Sequence, residues 1–351
     1  MKSQDIFKEL KIVELAGVLA GPLVGTFFSE LGAQVVKVEN KLTGGDMTRQ
    51  WFHKKESRDK KISSYYACAN YGKKPILADL KDPDDRKRVY DLIREADILI
   101  QNFKGGTAEK LGVDYATVNT LNPRIIYASL TGFGEDDPRS AFDIVLQAET
   151  GYMSMSGDKD GHPVRMPVAM IDILAAHHLK EAILVALIQR MKTGAGKEIS
   201  VSLYQAALAS LINQATNWLM VGHIPERMGS LHPNISPYGD LFQTADSKYL
   251  VLAIGTDDQF LRFAEVTGID PGPYLTNQQR LDSRSELVSE LKPIIASRTA
   301  KEWKEIFYTA KVPIGIVKNL KEVFEDDDAK EMLLYETVDR EETVRVRTAL
   351  V

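Results

Sequence analysis

The sequence predicts an open, doubly wound α/β sheet with a second, smaller domain beyond it. Three observations predict this. Strand-like and helix-like patterns alternate over the first two hundred residues, glycine and proline punctuate the joints between them, and the character changes near Gly222–Pro237. A chain of 351 residues, at roughly 150 residues per domain, also suggests two domains.

Ile12–Leu15 reads as a buried strand, with Gly17, Gly21 and Pro22 in the loop after it. A helix from Leu23 to Leu31 stops at Gly32, and Gln34–Glu39 is the second strand; this βαβ unit predicts parallel pairing. Pro75–Leu80 is the third strand. Asp82-Pro83 then supplies an N-cap and a proline at the first position of a helix over Asp84–Glu95. Asp97–Phe103 and Arg124–Phe133 are further strands. Asp172 precedes a long helix, Ile173 to Lys192, whose apolar face includes Leu179, Ile183 and Leu187 and which ends at the TGAG of residues 193–196. A short strand, Ile199–Leu203, leads into an apolar helix over Tyr204–Met220. Gly222–Pro237, rich in proline, glycine and polar residues, reads as an interdomain crossing. Beyond it come a strand at Tyr249–Ile254, amphipathic helices at Asp258–Val266, Ser285–Ala296 and Lys301–Ala310, a helix start at Glu325–Lys330, and strand-like alternation over Glu342–Val351.

Composition excludes several classes. Hydrophobic residues at 44% and charged residues at 26% are the balance of a globular protein. A net charge of -5 argues against broad nucleic-acid binding, though a local basic pocket for a small anion stays open. The single cysteine, Cys68, forms no internal disulfide or Cys-based zinc cluster and fits a cytoplasmic setting. The polar start MKSQDIFKELK is not a signal peptide, and no apolar run approaches the roughly 20 residues that span a bilayer.

Common catalytic signatures are missing. TGAGKE at 193–198 is not a phosphate loop, because Glu198 follows the lysine and Met191 stands where glycine is required; a helix terminus explains it. No dinucleotide-binding glycine pattern follows the first strand. His177 and His178 are adjacent on a helix and point apart, so no metal site is expected. Asp172 stands out within PVAMIDILAA. It is either an N-cap or a poorly solvated carboxylate held at a helix N-terminus, nucleophilic toward an activated carbonyl.

These residues occur in a longer series. The opening 10–39, Gly45-Asp46-Met47-Thr48-Arg49 with Trp51, and Asn70 with Lys73-Lys74 and Ile76 to Lys81 come first. Asn102-Phe103, Leu111-Gly112, Asn122-Pro123-Arg124, Thr131-Gly132-Phe133-Gly134 and Asp143 with Gln147-Ala148 follow. The Asp172 block with Arg190 and Thr193-Gly194, then His232-Pro233, Pro237-Tyr238 and Phe242, complete the order. The series resembles the class III coenzyme A transferases, the formyl-CoA and carnitine-CoA transferase group, over almost the whole chain.

The resemblance implies a Rossmann-like large domain with an open parallel sheet plus a smaller α+β domain. Its implied limits are 1–200 for the large domain, 201–236 for a linker helix and crossing, 237–320 for the small domain and 321–351 for a return segment. It also implies two chains interlocked as rings. The activity implied is transfer of CoA from an acyl-CoA donor to a carboxylic acid, through an aspartyl anhydride and an aspartyl-CoA thioester on Asp172. CoA and acyl-CoA are then substrates, with no tightly bound cofactor. By the same resemblance Val18, Leu19, Ala20, Ala78, Lys81, Asn102, Phe103, Thr107, Lys110, Thr131 and Phe133 contact CoA, with Lys81 and Lys110 facing its phosphates. Lys41 stands in for an arginine that some members carry after the second strand. Arg49 is expected to pair with Asp46.

Two departures matter. The small-domain glycine run of formyl-CoA transferase is reduced here to Gly255 and Gln259 within residues 253–259, so the resemblance carries over no gating loop and does not point to formyl or oxalyl transfer. The racemases of the same fold use a histidine beside the aspartate, where this chain has Phe142, which accepts no proton. The alternatives are such a racemase or a non-catalytic CoA binder. Arg165 and an exposed Lys180 are the cations nearest Asp172 in sequence for a dicarboxylate.

Overall fold

A computed structural model describes residues 6–137 and 139–351; Met1–Asp5, part of the polar start, lie outside it. The described residues form two compact units. One comprises the chain through Tyr152, Arg165–Ile224 and Glu331–Val351; the other comprises Met153–Val164 and Pro225–Lys330.

The first unit is built on six parallel strands: β1 Lys11–Glu14, β2 Gln34–Asn40, β3 Lys74–Ala78, β4 Ile98–Gln101, β5 Ile126–Thr131 and β6 Lys197–Ser202. Their order is β3-β2-β1-β4-β5-β6. Successive side chains of a strand point to opposite faces, and both faces are apolar here. Ile12, Ile98, Ile100, Ile126 and Ala128 pack with Val24 and Phe28 of the helix Ala20–Glu30 and with Ala175, Leu179 and Ile183 of the helix Met170–Thr193. Val13, Leu99 and Tyr127 pack on the other face with Val89 and Ile93 of the helix Pro83–Glu95 and Val118 of Tyr115–Leu121. Helices thus cover both faces, as in a doubly wound sheet.

Local capping follows the sequence at Asp82, whose carboxylate accepts from the Asp84 and Asp85 N–H groups ahead of Pro83. The single helix expected over Tyr204–Met220 is instead two, Leu203–Ala209 and Ile212–Val221. The Ser210 hydroxyl bonds back to the Ala206 carbonyl at 2.8 Å, and Ile212 adopts φ +36°. The segment expected as a linker from residue 201 therefore stays with the first unit through Ile224.

In the second unit, β7 Tyr238–Gln243, β8 Tyr249–Ala253 and β9 Ile314–Ile316 form an antiparallel sheet in that order. Phe242, Leu250 and Leu252 pack with Phe260, Phe263, Leu287, Leu291, Trp303 and Phe307 from the helices Asp257–Thr267, Arg284–Ile295 and Ala300–Thr309. Residues 255–259, which stand in place of the small-domain glycine run, form a helix cap. The Gln259 side chain accepts from the Gly255 N–H at 2.8 Å and completes a capping box with Thr256.

The chain then returns to the first unit as an antiparallel hairpin, β10 Leu333–Val338 and β11 Glu341–Val346, turning through Asp339 and Arg340 at positive φ. Glu30 fastens it. This buried carboxylate pairs with Arg345 and accepts from the Thr348 N–H, the Thr348 hydroxyl and the Ala349 N–H.

Candidate active site

The strand order reverses between β1 and β4, and the loops after these strands meet there. Such a switch point at the carboxyl ends of a parallel sheet leaves a crevice for a ligand. Asn102, just past β4, clips the loop after β1: its Oδ1 accepts from the Gly17 N–H at 2.9 Å and its Nδ2 donates to the Gly17 carbonyl at 2.8 Å. Two cavities open on either side of this loop, and Gly17, Val18 and Asn102 line both.

The larger cavity is about 420 Å³. Its floor is a buried ion network. Lys37 Nζ lies 3.1 Å from both Glu14 and Asp46 and 2.7 Å from the Ala16 carbonyl. Lys73 pairs with Glu14 from behind at 2.8 Å. Burial opposes both lysine charges. At Lys37 the Glu14 and Asp46 carboxylates prevail and raise its pKa, whereas at Lys73 burial prevails and lowers it to about 8. Burial also opposes the Asp46 charge, but Lys37 and Thr48 hold its carboxyl below the ordinary range. Asp46 accepts in turn from the Val18 N–H at 3.1 Å, and Val18 sits at φ +70°, a conformation that a β-branched residue rarely adopts. Glu39, also on the wall, is neutralised by Arg49 at 2.6 Å and accepts from the Tyr66 hydroxyl at 2.7 Å. Arg49 therefore pairs with Glu39, and with Asp339 of the hairpin, rather than with Asp46. The reason is geometric: Asp46 is already committed to Lys37, Val18 and Thr48.

The smaller cavity, about 110 Å³, contains Asp172. Asp172 is the third residue of the helix Met170–Thr193 and not its N-cap; Ala169 holds that position without a side-chain bond. The acceptor comes from elsewhere. Asp143 Oδ1 takes the Ile171 N–H at 2.7 Å, and Gln147 holds its other oxygen at 2.6 Å. Asp172 is thereby free of a capping role. Burial, and then the charge of Asp143, push its carboxyl up to about 7. Burial first, and then the Asp172 charge, push the Tyr65 phenol up to about 12, so Tyr65 lies within electrostatic reach of the same carboxylate. Sequence reasoning missed Tyr65, which sits in a featureless SSYY stretch, and gave Asp143 no role.

The residues named from the sequence divide as follows. Val18, Ala78, Lys81, Asn102 and Phe103 line the larger cavity, and Val18, Leu19, Ala20, Asn102 and Thr131 line the smaller one with Phe142. Four are not brought into either lining. Lys41 faces Asp85 at 3.4 Å; Thr107 and Lys110 lie on the short helix Thr107–Leu111, of which Leu111 alone reaches the larger cavity; Phe133 packs beneath Arg139 and against Tyr204. Lys180 is buried rather than exposed, with its ammonium 5.1 Å from the Phe27 ring, because its helix face packs on Ala20–Glu30. Arg165 is exposed and donates to the Pro167 carbonyl.

Comparison with known proteins accounts for this arrangement. Residues 7–351 match the family model described as CoA-transferase family III. The chain is 40% identical over 331 residues to the succinate–glutarate CoA-transferase of Agrobacterium fabrum, covering 90% of this chain and 81% of that protein. It is 34% identical over 322 residues to the human succinyl-CoA:glutarate CoA-transferase, covering 90% and 72%. The crystal structure of a CAIB/BAIF family protein from Brucella suis superposes with a TM-score of 0.86 at 34% identity, over 97% of this chain and 91% of that one. The fold and these matches are those of an enzyme that transfers coenzyme A. The chain belongs to CoA-transferase family III.

Proposed function

We propose that this transferase works through Asp172 as a covalent nucleophile. The observation that carries the reading is a poorly solvated carboxyl in a small cavity that shares one loop wall, Gly17 and Val18, with a much larger cavity. The CoA part of the donor occupies the larger cavity. Its interior charges are already paired, so it suits the uncharged portions of CoA, with Lys81 available to a phosphate group. The acyl carbon then reaches Asp172.

An ionised Asp172 oxygen adds to the thioester carbonyl, the C–S bond breaks, and CoA leaves as thiolate. The thiolate attacks the aspartyl carbonyl, releasing the donor acid and forming an aspartyl-CoA thioester. The acceptor carboxylate attacks that thioester, expelling CoA thiolate and forming a second aspartyl anhydride; the thiolate then attacks the acceptor's carbonyl carbon, giving the new acyl-CoA and freeing the Asp172 carboxylate. One thioester is made for each one broken, so no nucleotide hydrolysis is required. The names of the relatives support short dicarboxylic acids as acyl groups. Exposed Ile212, Trp218, Leu219, Met220 and Val221 on one helix support association with a second copy, which we read as the interlocked homodimer. No described helix is long and apolar enough to cross a membrane, and we assign the enzyme to the cytoplasm.

The test is one incubation in heavy water of the protein with a panel of acyl-CoAs and free acids, followed by mass spectrometry of the CoA pool. New acyl-CoAs that disappear with Asp172→Ala support the reading. Deuterium at the α-carbon without new thioesters refutes it in favour of a racemase. Neither signal points to a non-catalytic CoA binder.

A further inference from the structure

We infer that Thr131 donates a hydrogen bond to the acyl oxygen that becomes negatively charged when Asp172 adds to the carbonyl. The inference rests on the reading of Asp172 given above.

Thr131 closes β5 and lines the Asp172 cavity. It is only 8% exposed, and its hydroxyl is buried without a hydrogen-bond partner. Buried hydroxyls are ordinarily paired, and an orphan calls for an explanation. The neighbouring hydroxyls are paired. Ser129, two residues earlier on the strand, accepts from Gln101 at 2.8 Å. Ser202, opposite Thr131 in the β5–β6 register, caps the helix Leu203–Ala209. Of these three hydroxyls, the one with no hydrogen-bond partner of either kind is the one that borders the nucleophile.

The amide of Asn102, which also lines this wall, is held by the Gly17 backbone. Leu19, Ala20, Leu130, Ala141, Phe142 and Leu203 present apolar side chains. In such surroundings a fixed donor is worth more than in water, and it needs no reorganisation when charge develops. An entering acyl group brings the missing acceptor. As an Asp172 lone pair forms the new C–O bond, the carbonyl π pair moves onto oxygen, where the Thr131 hydroxyl holds it without transferring its proton. On collapse that pair re-forms the carbonyl, and the C–S pair departs with sulfur.

The experiment compares wild type, Thr131→Val and Thr131→Ser by the single-turnover rate at which Asp172 becomes acylated, read by peptide mass spectrometry, and by steady-state kcat and KM. Valine has the same shape and removes an unpaired polar group, so folding survives; the melting temperature checks it. The expected result is a fall of roughly 100-fold in acylation rate and kcat for valine, with KM little changed and serine restoring most of the rate. An unchanged acylation rate in the valine variant overturns the inference while leaving the Asp172 reading intact. A loss in serine as large as in valine overturns it too, since packing rather than the hydroxyl would then matter. Absence of acylated Asp172 in wild type overturns both.

Discussion

The carboxyl of Asp172 makes the native state less stable above neutral pH, and the size of the effect follows from its environment. In the unfolded chain this group ionises at its ordinary 3.8; in the folded protein, burial and then the Asp143 charge move it to about 7. Its pKa is therefore raised on folding. The stability it permits is fully present below 3.8 and is lost as the pH rises through 7. Above both values the folded state carries a poorly solvated charge, at a cost on the order of 4 kcal/mol relative to a neutral group. Asp172→Asn removes that charge with almost no change in shape. Urea denaturation of both proteins at one protein concentration, at pH 5 and pH 8, measures the difference, and groups that titrate equally in both cancel. The variant should be the more stable at pH 8 by several kcal/mol, and its advantage should shrink by roughly 2–3 kcal/mol at pH 5. It should also be inactive. An advantage of equal size at both pH values, or none at pH 8, would refute the argument that Asp172 is held in a poorly solvated state.

Three further outcomes follow from the same geometry. The acid limb of kcat/KM should fall near pH 7, tenfold per unit below it, and Asp143→Asn should move that limb downward by removing the like charge; a limb fixed at the ordinary carboxylate value speaks against Asp172 as nucleophile. Glu30→Ala leaves the buried Arg345 with only the more distant Glu336 at 3.8 Å and should cost about 3 kcal/mol, with limited proteolysis cutting the last two strands faster than in wild type. Lys37→Met leaves Asp46 in the cavity floor without its cation, while Glu14 keeps Lys73; stability should drop by about 3 kcal/mol, and calorimetry should record weaker CoA binding.

The alternation that marked the parallel sheet was legible because each strand and helix carries its own period and its own punctuation, as Asp82-Pro83 illustrates. What escaped the sequence is long-range. Asp172 looked like a cap because it stands at a helix start, yet the acceptor is Asp143, brought in from another helix. Lys180 looked solvated because charged residues usually are, but the face it shares with Leu179 and Ile183 is packed. Lys41, Thr107, Lys110 and Phe133 were named from motif position alone, and they lie outside the linings of the two cavities. Nothing local marks Glu30, whose partners lie more than three hundred residues away.

That distance bears on how the chain is made. The first unit is discontinuous: the polypeptide leaves it after Ile224 and returns at Glu331. At about 5–20 residues per second, a ribosome needs on the order of ten seconds to traverse the intervening stretch. Throughout that interval Glu30 and Arg49 have emerged, while Arg345 and Asp339 have yet to be synthesised. The nascent sheet waits with a carboxylate and a guanidinium short of their final partners, and the second unit can consolidate before the first is closed. The hairpin thus closes the first unit last: Glu30, at the end of one helix, and Arg49, on a separate turn, gain Arg345 and Asp339 only after the intervening unit has been made.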